Sequence, residues 1–423
     1  MHRPVLVMGR IPRIVLPIAR SLRQYGIPVD VVSFSPCPPI LSRAVREHRT
    51  LPPPDADRQE FLRQLRRFIV ENRHDMLIPT DDWVLTGVVE HYDDLADLLH
   101  LCCPPPSISK LVLNKIETLR IAQNCGMNVP ETTVVSTASE LHDVIGRIPF
   151  PWVVKPAWRE TRAENLKSAT LASAEEVRAS FPAGDKFAPP LLVQEYCAGA
   201  GIGVELLLHQ GKCLAAFQHR RLKEMPHTGG VSVTAVAEPL NDDLMQSALS
   251  LLEELHWDGI AMVEYKVSSD GHAAFMEVNG RYWGTIGLAI SAGIDFPLYQ
   301  WQLAHGEKPT IPGSYASATK WRSTVDYIWR LHNLLDRAQS GSGEARQVLF
   351  EDVRQVLKDF APQVHDATFR FSDPMPFTTE IVRALTHIIA DGARRASSYA
   401  YRRGTAGFRQ RLDSKQRTAQ MNL

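Results

Sequence analysis

The segment 259–279 is the part of the sequence that most constrains how this chain can fold. Two apolar runs, GIAMVEYKV and HAAFMEVN, flank the turn sequence SDG, a pattern that predicts an antiparallel β-hairpin. Side chains two residues apart in a strand lie on the same face, so Glu277, Asn279 and Arg281 are predicted to converge on one side of the second strand. The hairpin brings Glu264 of the first strand close to them.

These four side chains suit a divalent cation beside a phosphate group. Mg²⁺ prefers carboxylate and amide oxygens, and an arginine guanidinium binds phosphate oxygens as a two-pronged donor. Taken alone, the pattern also fits a polar row on the solvent side of an edge strand. The rest of the chain has to decide between these two interpretations.

Composition indicates an ordinary water-soluble chain with several structural units. At 423 residues it exceeds the size at which one hydrophobic core keeps growing, so we expect two to four units. Lys+Arg and Asp+Glu both number 47, which argues against general nucleic-acid or membrane-surface binding. No apolar run approaches the roughly 20 residues of a membrane span, and no signal peptide is evident, so we expect a cytoplasmic protein.

The six cysteines give no support for a disulfide framework or a zinc site. Cys102 and Cys103 are adjacent, the others are scattered, and no CxxC pair occurs. We expect most of them to be buried thiols.

The first hundred residues alternate between strand-like and helix-like patterns. The strand-like runs PVLVMG, PVDVVSF and DMLIPT are separated by helical patterns over 14–25 and 58–72, which predicts parallel βαβ units. Gly9 follows the first strand, but GRIPR lacks the glycines of GxGxxG, so a tight turn is expected there rather than a dinucleotide site. Thr80, Asp81 and Asp82 end a strand where α/β sheets bind ligands, and a helix N-cap explains them equally well.

The next stretch begins with a stiff connector and returns to mixed structure. The proline-rich run CCPPPS at 102–107 predicts the boundary between the first and second domains. A helix is predicted over 109–125. The short apolar strand PFPWVVKP then ends with Lys155. A lysine at the end of an apolar strand is usually exposed. From Pro190, LLVQEY and GIGVELLL are predicted as strands joined by a glycine-rich turn, with a second turn at Gln210-Gly211, in an antiparallel hairpin region.

An amphipathic helix is predicted over 241–256, before the hairpin. Beyond about Pro312 the chain is predicted to be helical, including 327–338 and 344–360, with no concentrated polar motif. The tail is rich in arginine and is expected to be a solvated terminus, an amphipathic basic helix being the alternative. Its arginines are Arg394, Arg395, Arg402, Arg403, Arg409 and Arg411.

In this order the motifs resemble the ATP-grasp superfamily and, within it, the predicted carboxylate–amine ligases. The matching pieces over about residues 1–310 are LIPTDD, Lys115, VVKP, QEY, VEY and MEVNGRYWG. The resemblance implies an α/β and α+β protein with a Rossmann-like pre-ATP-grasp domain, a two-lobed ATP-grasp fold and a C-terminal helical segment. The expected boundaries are 1–106 for the α/β domain, 107–190 for the N-lobe, 191–312 for the C-lobe, 313–390 for the helical extension and 391–423 for the basic tail.

The resemblance also implies roles for individual residues. Nucleotide contacts would come from the two lysines and from the hinge around the adenine, namely Lys115, Lys155, Gln194, Glu195, Tyr196 and Cys197. The Mg²⁺ ligands would be Glu264, Glu277 and Asn279, with Mn²⁺ as an alternative ion. Arg281 would stabilise the transferred phosphoryl group or the acyl phosphate. Each of these roles has a simpler alternative. Lys115 would be an ordinary exposed helix lysine, Lys155 a surface lysine, and the hinge residues an ordinary strand end.

The segment QHRRLKEMPHTGG resembles the family's HRR…GG pattern. One arginine here is expected to hold the substrate carboxylate or acyl phosphate, and alternation favours Arg221 over Arg220. A charged strand edge is the alternative. Gly199, Gly201 and Gly203 are interpreted as a bend, not a phosphate loop. Glu205 would approach the ribose or face solvent.

The main departure from the family pattern is WRETRAENLKS, from Trp158 to Ser168. Relatives have a glycine-rich loop there, whereas this chain has Arg159, Arg162 and Lys167. Either side-chain cations close over the phosphates, or the loop is adapted to a particular substrate, or nucleotide turnover is impaired.

The resemblance implies a ligase that uses ATP to convert a small carboxylate into an acyl phosphate and joins it to an amine, releasing ADP and phosphate. Two other functions stay open, a nucleotide-binding regulatory or scaffold protein and an ATP-grasp carboxylase of a small metabolite. The implied partners are small-molecule carboxylate and amine substrates and, from the family habit, a second copy in a homodimer, with no nucleic acid and no membrane span.

Overall fold

The computed structural model describes residues 2–158, 168–392 and 394, and within them the strands form three sheets. Arg159, Arg162 and Lys167 of the cationic loop lie outside the described residues. So do most arginines of the basic tail, namely Arg395, Arg402, Arg403, Arg409 and Arg411.

The N-terminal unit is a five-stranded parallel sheet in the order β3-β2-β1-β4-β5, flanked by helices. Its first, second and fourth strands are buried on both faces, as continuous apolar runs in parallel sheets are. The strands are β1 Val5–Met8, β2 Val29–Phe34, β3 Glu47–Leu51, β4 Met76–Pro79 and β5 His100–Leu101. The helices are α1 Pro12–Gln24, α2 Arg58–Asn72, α3 Asp82–Glu90 and α4 Tyr92–Ala96. The predicted Rossmann-like fold is confirmed.

Gly9 forms the tight turn that the sequence predicted. A Cβ atom on Gly9 would overlap Thr80 Oγ1, so the Thr80 side chain packs directly against the backbone of the turn after β1. The absence of a side chain at Gly9 is therefore a packing requirement at the carboxyl edge of the sheet.

The second unit is a four-stranded antiparallel sheet in the order β6-β9-β7-β8. Its elements are β6 Thr132–Thr137, α7 Ala138–Asp143, β7 Trp152–Pro156, β8 Ala169–Leu171, α8 Ala174–Ser180 and β9 Lys186–Glu195. The predicted hairpin between LLVQEY and GIGVELLL was wrong, because β9 pairs with β6 and β7 in this sheet. The chain leaves the sheet at Gly199, where φ is 130° and a Cβ would lie 2.3 Å from Val267 O.

The third unit is a seven-stranded sheet in the order β14-β13-β10-β11-β12-β15-β16. Its strands are β10 Ala200–His209, β11 Lys212–Met225, β12 Val231–Glu238, β13 Gly259–Val267, β14 Ala273–Asn279, β15 Lys320–Arg322 and β16 Val364–Asp366. The predicted β13–β14 hairpin is present, and Glu264 lies opposite Glu277 in its register. The last two strands contradict the expectation that the chain is only helical beyond Pro312.

The predicted single helix over 109–125 is in fact two helices. α5 covers Pro106–Leu113 and α6 covers Lys115–Asn124, and Asn114 between them is extended, with ψ of 106°. The Asn114 side chain accepts a hydrogen bond from Ile116 N, so it caps the second helix. Residues of both helices pack with the C-lobe sheet and with α9, Asp242–Glu254, although their sequence position suggested the N-lobe.

The remaining helices surround the seven-stranded sheet. They are α10 Ile286–Ala292, α11 Phe296–Ala304, α12 Thr324–Gln339 and α13 Gly343–Asp359, followed by a further helix over 375–392, here called the terminal helix. Among the described residues, no helix combines the length and apolarity that crossing a bilayer needs.

One hydrophobic core joins the N-terminal sheet to the C-lobe. It contains Val7 of β1 and Ile18 of α1 together with Phe217 of β11 and Trp283 after β14. Because of this shared core, the carboxyl edge of the parallel sheet lies beside the end of β14. The residues that follow β4 and β14 therefore meet.

Candidate active site

The β13–β14 hairpin brings three predicted metal ligands together. Glu264 and Glu277 are register partners, and Asn279 lies opposite Met262 on the same side of the sheet. The Asn279 amide Nδ2 donates a hydrogen bond to Glu264 Oε1 over 2.8 Å. This leaves the amide oxygen of Asn279 on the same small surface as the two carboxylates.

Two lysines from the N-terminal side of the chain face this carboxylate pair. Lys155 lies in β7, and Lys115 opens α6 with its backbone N–H bonded to Ala157 O at 3.0 Å, just beyond that strand. Burial lowers the pKa of Lys155, and the charge of Glu277 only partly offsets this. Burial alone would raise the pKa of the Glu277 carboxyl, but Lys115 and Lys155 outweigh it, so that pKa lies below its usual value. Glu277 is thus held anionic between two cations.

Arg281 is held by an acidic residue of the N-terminal unit. Its Nε lies 2.9 Å from Asp82 Oδ1 and its second terminal nitrogen 3.3 Å from Asp82 Oδ2. Asp81 caps α3 by accepting from Val84 N at 3.0 Å, and the Thr80 hydroxyl donates to Met8 O. Both interpretations of the TDD motif are therefore partly right, since one aspartate caps a helix and the next reaches the site.

Arg221 lies in the site and Arg220 does not. Arg221 pairs with Glu264 at 2.5 Å and with Glu224 at 3.2 Å. The more exposed Arg220 pairs with Glu238 on the neighbouring strand. A β-bulge follows Arg221, and Lys223 turns toward α13 to pair with Asp359.

Two of the glycines interpreted as a bend lie inside β10 instead. A Cβ on Gly201 would lie 2.9 Å from Arg221 Cδ, and one on Gly203 would lie 2.5 Å from His219 Cε1. The alternating glycines thus leave room for the large side chains of β11 on the site face of the sheet. The bend interpretation holds for Gly199 only.

The site includes residues that the sequence did not single out. Glu224 receives Lys266 Nζ at 2.8 Å, which extends the charged row to Lys266, Glu224, Arg221, Glu264 and Asn279. The ion-pairing side chains of this row are about 12–15% exposed. Lys266 lies two residues after Glu264, so strand alternation could have identified it.

Below this row lies a buried pair that contradicts the expectation of a solvent-facing Glu205. Glu205 is fully buried, and its Oε1 lies 2.5 Å from His219 Nδ1 in the interior. Burial raises the pKa of Glu205 and, together with Arg221, lowers the pKa of His219 to about 3. Glu205 Oε1 and His219 Nδ1 therefore share one hydrogen bond in the interior, and His219 Nε2 lies 3.4 Å from Thr285 Oγ1.

The predicted hinge residues lie at the end of β9, apart from the carboxylate pair. The buried Gln194 amide donates to Thr132 Oγ1 at 2.8 Å, while its Oε1 has no hydrogen-bond partner among the described residues. The Glu195 carboxylate accepts from Glu131 N, and Tyr196 N donates to Pro151 O. Burial raises the pKa of the half-buried Cys197, whose neighbours include Lys155.

A family model described as ATP-grasp in the biosynthetic pathway with Ter operon matches residues 187–327. This segment contains the hinge, the charged row and both hairpin carboxylates. Pyruvate carboxylase 1 of Caenorhabditis elegans is 23% identical over 221 residues, covering 48% of this chain. The match spans only 18% of that protein's length.

Solved structures share the architecture at low sequence identity. An L-amino acid ligase from Bacillus licheniformis has a TM-score of 0.56 at 17% identity, over 72% of this chain and 74% of that one. The ADP complex of PurK, an N5-carboxyaminoimidazole ribonucleotide synthetase, reaches 0.61 at 13%, over 79% and 86%. The biotin carboxylase domain dimer of 2-oxoglutarate carboxylase from Hydrogenobacter thermophilus, crystallised with MgADP and bicarbonate, reaches 0.58 at 13%, over 76% and 73%.

The chain therefore has the fold of the ATP-grasp ligases and carboxylases, and its resemblance to the ATP-grasp superfamily is confirmed. The particular reaction is a separate question, because the same fold supports several reactions.

Proposed function

We propose that this protein is an ATP-dependent ligase that activates a carboxylate as an acyl phosphate and joins it to an amine. The observation that carries the proposal is the convergence of Glu264, Glu277 and Asn279 with Lys115 and Lys155. Acidic side chains on strands that face nearby cations are what phosphoryl transfer from ATP needs. The fold of an L-amino acid ligase is a supporting likeness.

The residues fit a Mg²⁺ ion bound with ATP. The donors are all oxygens, and Glu277 is anionic at neutral pH because of its lysine neighbours. Arg221 holds Glu264 Oε2 at 2.5 Å and Asn279 Nδ2 donates to Glu264 Oε1 over 2.8 Å, so this carboxylate is already oriented and a cation would bind its remaining lone pairs. Mg²⁺, or Mn²⁺ in its place, would neutralise charge that develops on the phosphates.

The nucleotide would extend from these donors to the end of β9. Lys115 and Lys155 would bind phosphate oxygens, and Gln194, Glu195, Tyr196 and Cys197 would surround the adenine. The buried, unpaired Oε1 of Gln194 supports this part, since an acceptor in the interior is costly until a donor reaches it. The Glu195 carboxylate would keep its bond to Glu131 N and shape the hinge.

The proposed chemistry has two steps. An oxygen of the substrate carboxylate attacks the terminal phosphorus of ATP, the bond to the bridging oxygen breaks, and ADP leaves. The nitrogen of an uncharged amine then attacks the acyl carbon, phosphate leaves with the bonding pair, and the nitrogen loses its proton. Arg281 would stabilise charge on the transferred phosphoryl group, Arg221 would hold the acyl phosphate, and the protein otherwise contributes positioning.

The test is release of ADP and phosphate from Mg-ATP by the full chain. Pools of amino acids and small carboxylates are supplied with and without amines, and positive pools are split. Release that needs both a carboxylate and an amine supports the ligase. Absence of release from every pool, with intact ATP binding, would shift support to the regulatory or scaffold function.

A bicarbonate arm addresses the carboxylase alternative, which the carboxylase and synthetase folds among the similar structures favour. Turnover that depends on bicarbonate and needs no amine would replace the ligase with a carboxylase. The homodimer is also a proposal, and light scattering of the purified protein measures it.

A further inference from the structure

Helices α12 and α13, here called the helical hairpin, carry buried charged residues that contact the strand of Arg221. α12 packs on β11 and β12 as well as on α13. The side chains of Lys223 in β11, Arg330 in α12 and Asp352 in α13 are only 4–8% exposed. Buried charges are costly unless they are paired, so the pairs formed by these residues tie the helical hairpin to β11.

Lys223 joins β11 to both helices. Its Nζ lies 2.5 Å from Asp359 Oδ2, 3.2 Å from Asp352 Oδ1 and 3.0 Å from Tyr327 OH. Burial alone would lower the pKa of Lys223, but Asp359 and Tyr327 outweigh it, so that pKa lies above its usual value. Lys223 is therefore held as a cation between α12 and α13.

Arg330 reaches the next residue of the same strand. Its Nε donates a hydrogen bond to Asp352 Oδ2 over 2.6 Å, and one terminal nitrogen donates to the backbone carbonyl of Glu224. The helical hairpin thus holds two consecutive residues of β11, Lys223 by its side chain and Glu224 by its backbone.

These two residues lie in an irregular part of β11. The pairing of β11 with β12 shifts between Arg221 and Lys223 and again between Lys223 and Glu224. In a regular strand Arg221 and Lys223 would lie on the same face, whereas here Arg221 contacts Glu264 and Lys223 contacts the helices. Bulges re-aim side chains in this way next to active sites. The irregularity also lets Glu224, three residues after Arg221, reach the site.

Glu224 connects the irregular segment to the charged row of the site. Its Oε1 lies 3.2 Å from one terminal nitrogen of Arg221, and its Oε2 lies 2.8 Å from Lys266 Nζ. The other terminal nitrogen of Arg221 lies 2.5 Å from Glu264 Oε2. Arg221 Nε is buried and has no hydrogen-bond partner among the described residues. Glu224 and Glu264 therefore fix the plane of the guanidinium and leave its Nε–H for a ligand.

We propose that the helical hairpin positions the active site, with Arg330 as the principal positioning residue. Arg330 holds the backbone at Glu224, and the Glu224 carboxylate orients Arg221. Arg221 in turn orients Glu264. This inference rests on the proposed function, in which Glu264 binds the metal and Arg221 holds the acyl phosphate. Arg330 and α13 lie beyond the segment that the family model matches, so the site would depend on a part of the chain outside that segment.

Binding measured apart from turnover tests the inference. Isothermal titration of ADP into the full chain gives one Kd with saturating Mn²⁺ and another with EDTA. The Kd in EDTA divided by the Kd in Mn²⁺, here called the metal ratio, measures what the ion contributes. Loss of a residue that orients a metal ligand typically weakens metal binding by about tenfold or more, so Arg221→Gln should lower the metal ratio by that factor.

Arg330→Gln should lower the metal ratio by about threefold or more, since it acts through one further contact, and should leave the Kd in EDTA unchanged. In the Arg221→Gln background the same change should have no further effect, because the group that Arg330 positions is already absent. Equal factors in both backgrounds would show that Arg330 acts independently of Arg221 and would overturn the inference.

Arg330→Lys is the second variant, which keeps the test available if Arg330→Gln does not fold. It retains a charge beside Asp352, but its single nitrogen cannot contact Asp352 and the Glu224 carbonyl as the forked guanidinium does. The metal ratio should fall in this variant too. An unchanged ratio in the folded variant would contradict the role of Arg330.

Arg20 of α1 provides a matched control. It is 6% exposed like Arg330, pairs with the Asp373 carboxylate at 2.8 Å and donates to a backbone carbonyl, Asp373 O, at 3.2 Å. Arg20→Gln should lower stability to urea and leave the metal ratio at its wild-type value. An equal fall of the ratio in both variants would mean that losing any buried arginine is responsible, and positioning by Arg330 would be wrong.

The outcomes separate this inference from the ligase itself. If Arg330→Gln lowers the metal ratio through Arg221 but no pool releases ADP, the positioning role holds and the ligase is wrong. If ADP release shows a ligase whose metal ratio is the same with and without Arg330, the ligase holds and the positioning role is wrong. A wild-type metal ratio of about one would overturn the inference, since Glu264 would then bind no metal.

Discussion

Each cation in the candidate site has an anionic neighbour within the protein. Arg221 pairs with Glu264 at 2.5 Å and Arg281 with Asp82 at 2.9 Å, while Lys155 is charge-compensated by Glu277. Buried charges without partners are costly, so this pairing stabilises the arrangement of the site. When phosphates and a metal bind, the cations would contact phosphate oxygens and the carboxylates would contact the metal, without a rearrangement of the backbone.

Glu277→Gln should abolish ADP release while leaving the protein folded. The change removes the anion between Lys115 and Lys155 and a proposed metal ligand, and loss of one such electrostatic contact typically costs about 10²-fold or more in rate. ADP release at equal concentrations of folded protein measures this. Glu253→Gln, on the exposed side of α9, is the control, and comparable turnover by both variants would remove Glu277 from the site.

Arg281→Ala should lower the maximal rate of phosphoryl transfer more than it lowers ATP affinity. The reason is that the proposed contact is made to a group whose charge changes only in the transition state. Single-turnover kinetics with varied ATP measures the two effects. A weakened ATP affinity at a normal maximal rate would contradict the role of Arg281.

Gly203→Ala should destabilise the protein although it adds only one methyl group. The new Cβ would lie 2.5 Å from His219 Cε1 and 3.1 Å from Glu205 Oε1, and forcing such overlap costs about 1–3 kcal/mol. Thermal unfolding of the variant is compared with Gly313→Ala, where nothing lies within 4 Å of the added atom. Equal melting temperatures would show that β10 can move away from β11.

Sequence alone predicted the residues whose spacing follows strand alternation. Glu264, Glu277 and Asn279 lie together as predicted, because a two-residue period on a tight hairpin leaves few alternatives. The contact between Glu205 and His219 was not predicted. The pairing of β10 with β11 sets their register, but their burial depends on which elements cover that face of the sheet.

At the scale of elements, several helix ends have side-chain caps that the sequence displays. Asp57, Asn241 and Ser323 accept hydrogen bonds from the helices that they precede, and the predicted helix over 58–72 has the observed bounds. The three-residue strands β15 and β16 were not predicted. A strand this short is too short to show an alternation of apolar and polar residues, and it forms only because it pairs with the edge of an existing sheet. The crossing of β9 into the other sheet was missed for the same reason, because sheet membership is a tertiary property.

Asp373→Asn should loosen the terminal helix and destabilise the fold at neutral pH. It leaves Arg20 buried without its partner, a loss that typically costs about 3–5 kcal/mol. Urea denaturation at pH 7 measures the cost. Asp97→Asn, at an exposed position, is the control and should change nothing.

The pH dependence of the folding stability tests the Asp373–Arg20 ion pair in a second way. Burial alone would raise the pKa of the Asp373 carboxyl, but Ser42 and Arg20 outweigh it and hold that pKa below its usual value. The unfolded chain therefore binds a proton more readily, so the stabilisation is present above about pH 4 and is lost as the pH falls through the folded pKa. Wild type should lose more stability than Asp373→Asn between pH 5 and pH 3, and parallel losses would show that Asp373 is not ion-paired.

For the molecule as a whole, the arrangement of the hydrophobic cores was harder to predict than the fold. The motif order indicated an α/β unit followed by two lobes, and the structure has these sheets. The shared core of Val7 in β1 and Phe217 in β11 could not be predicted from the sequence. The two segments are far apart in the chain, and an apolar pattern shows that a strand is buried but not which strand it packs against. By contrast, the core of the four-stranded sheet, which contains Trp152 and Val154, is drawn entirely from residues 135–193.

This division predicts that the N-lobe opens separately from the rest. Val154→Ala and Val7→Ala remove the same two methyl groups from fully buried sites in different cores. Hydrogen exchange followed by mass spectrometry should show that Val154→Ala lowers protection only in β6, β7 and β9, because those strands can unfold without exposing the shared core. Val7→Ala should lower protection in β1 and in β10 and β11 together, since its core spans both units. If Val154→Ala instead lowers protection in all three sheets equally, the molecule unfolds as one unit and the N-lobe core is not an independent one.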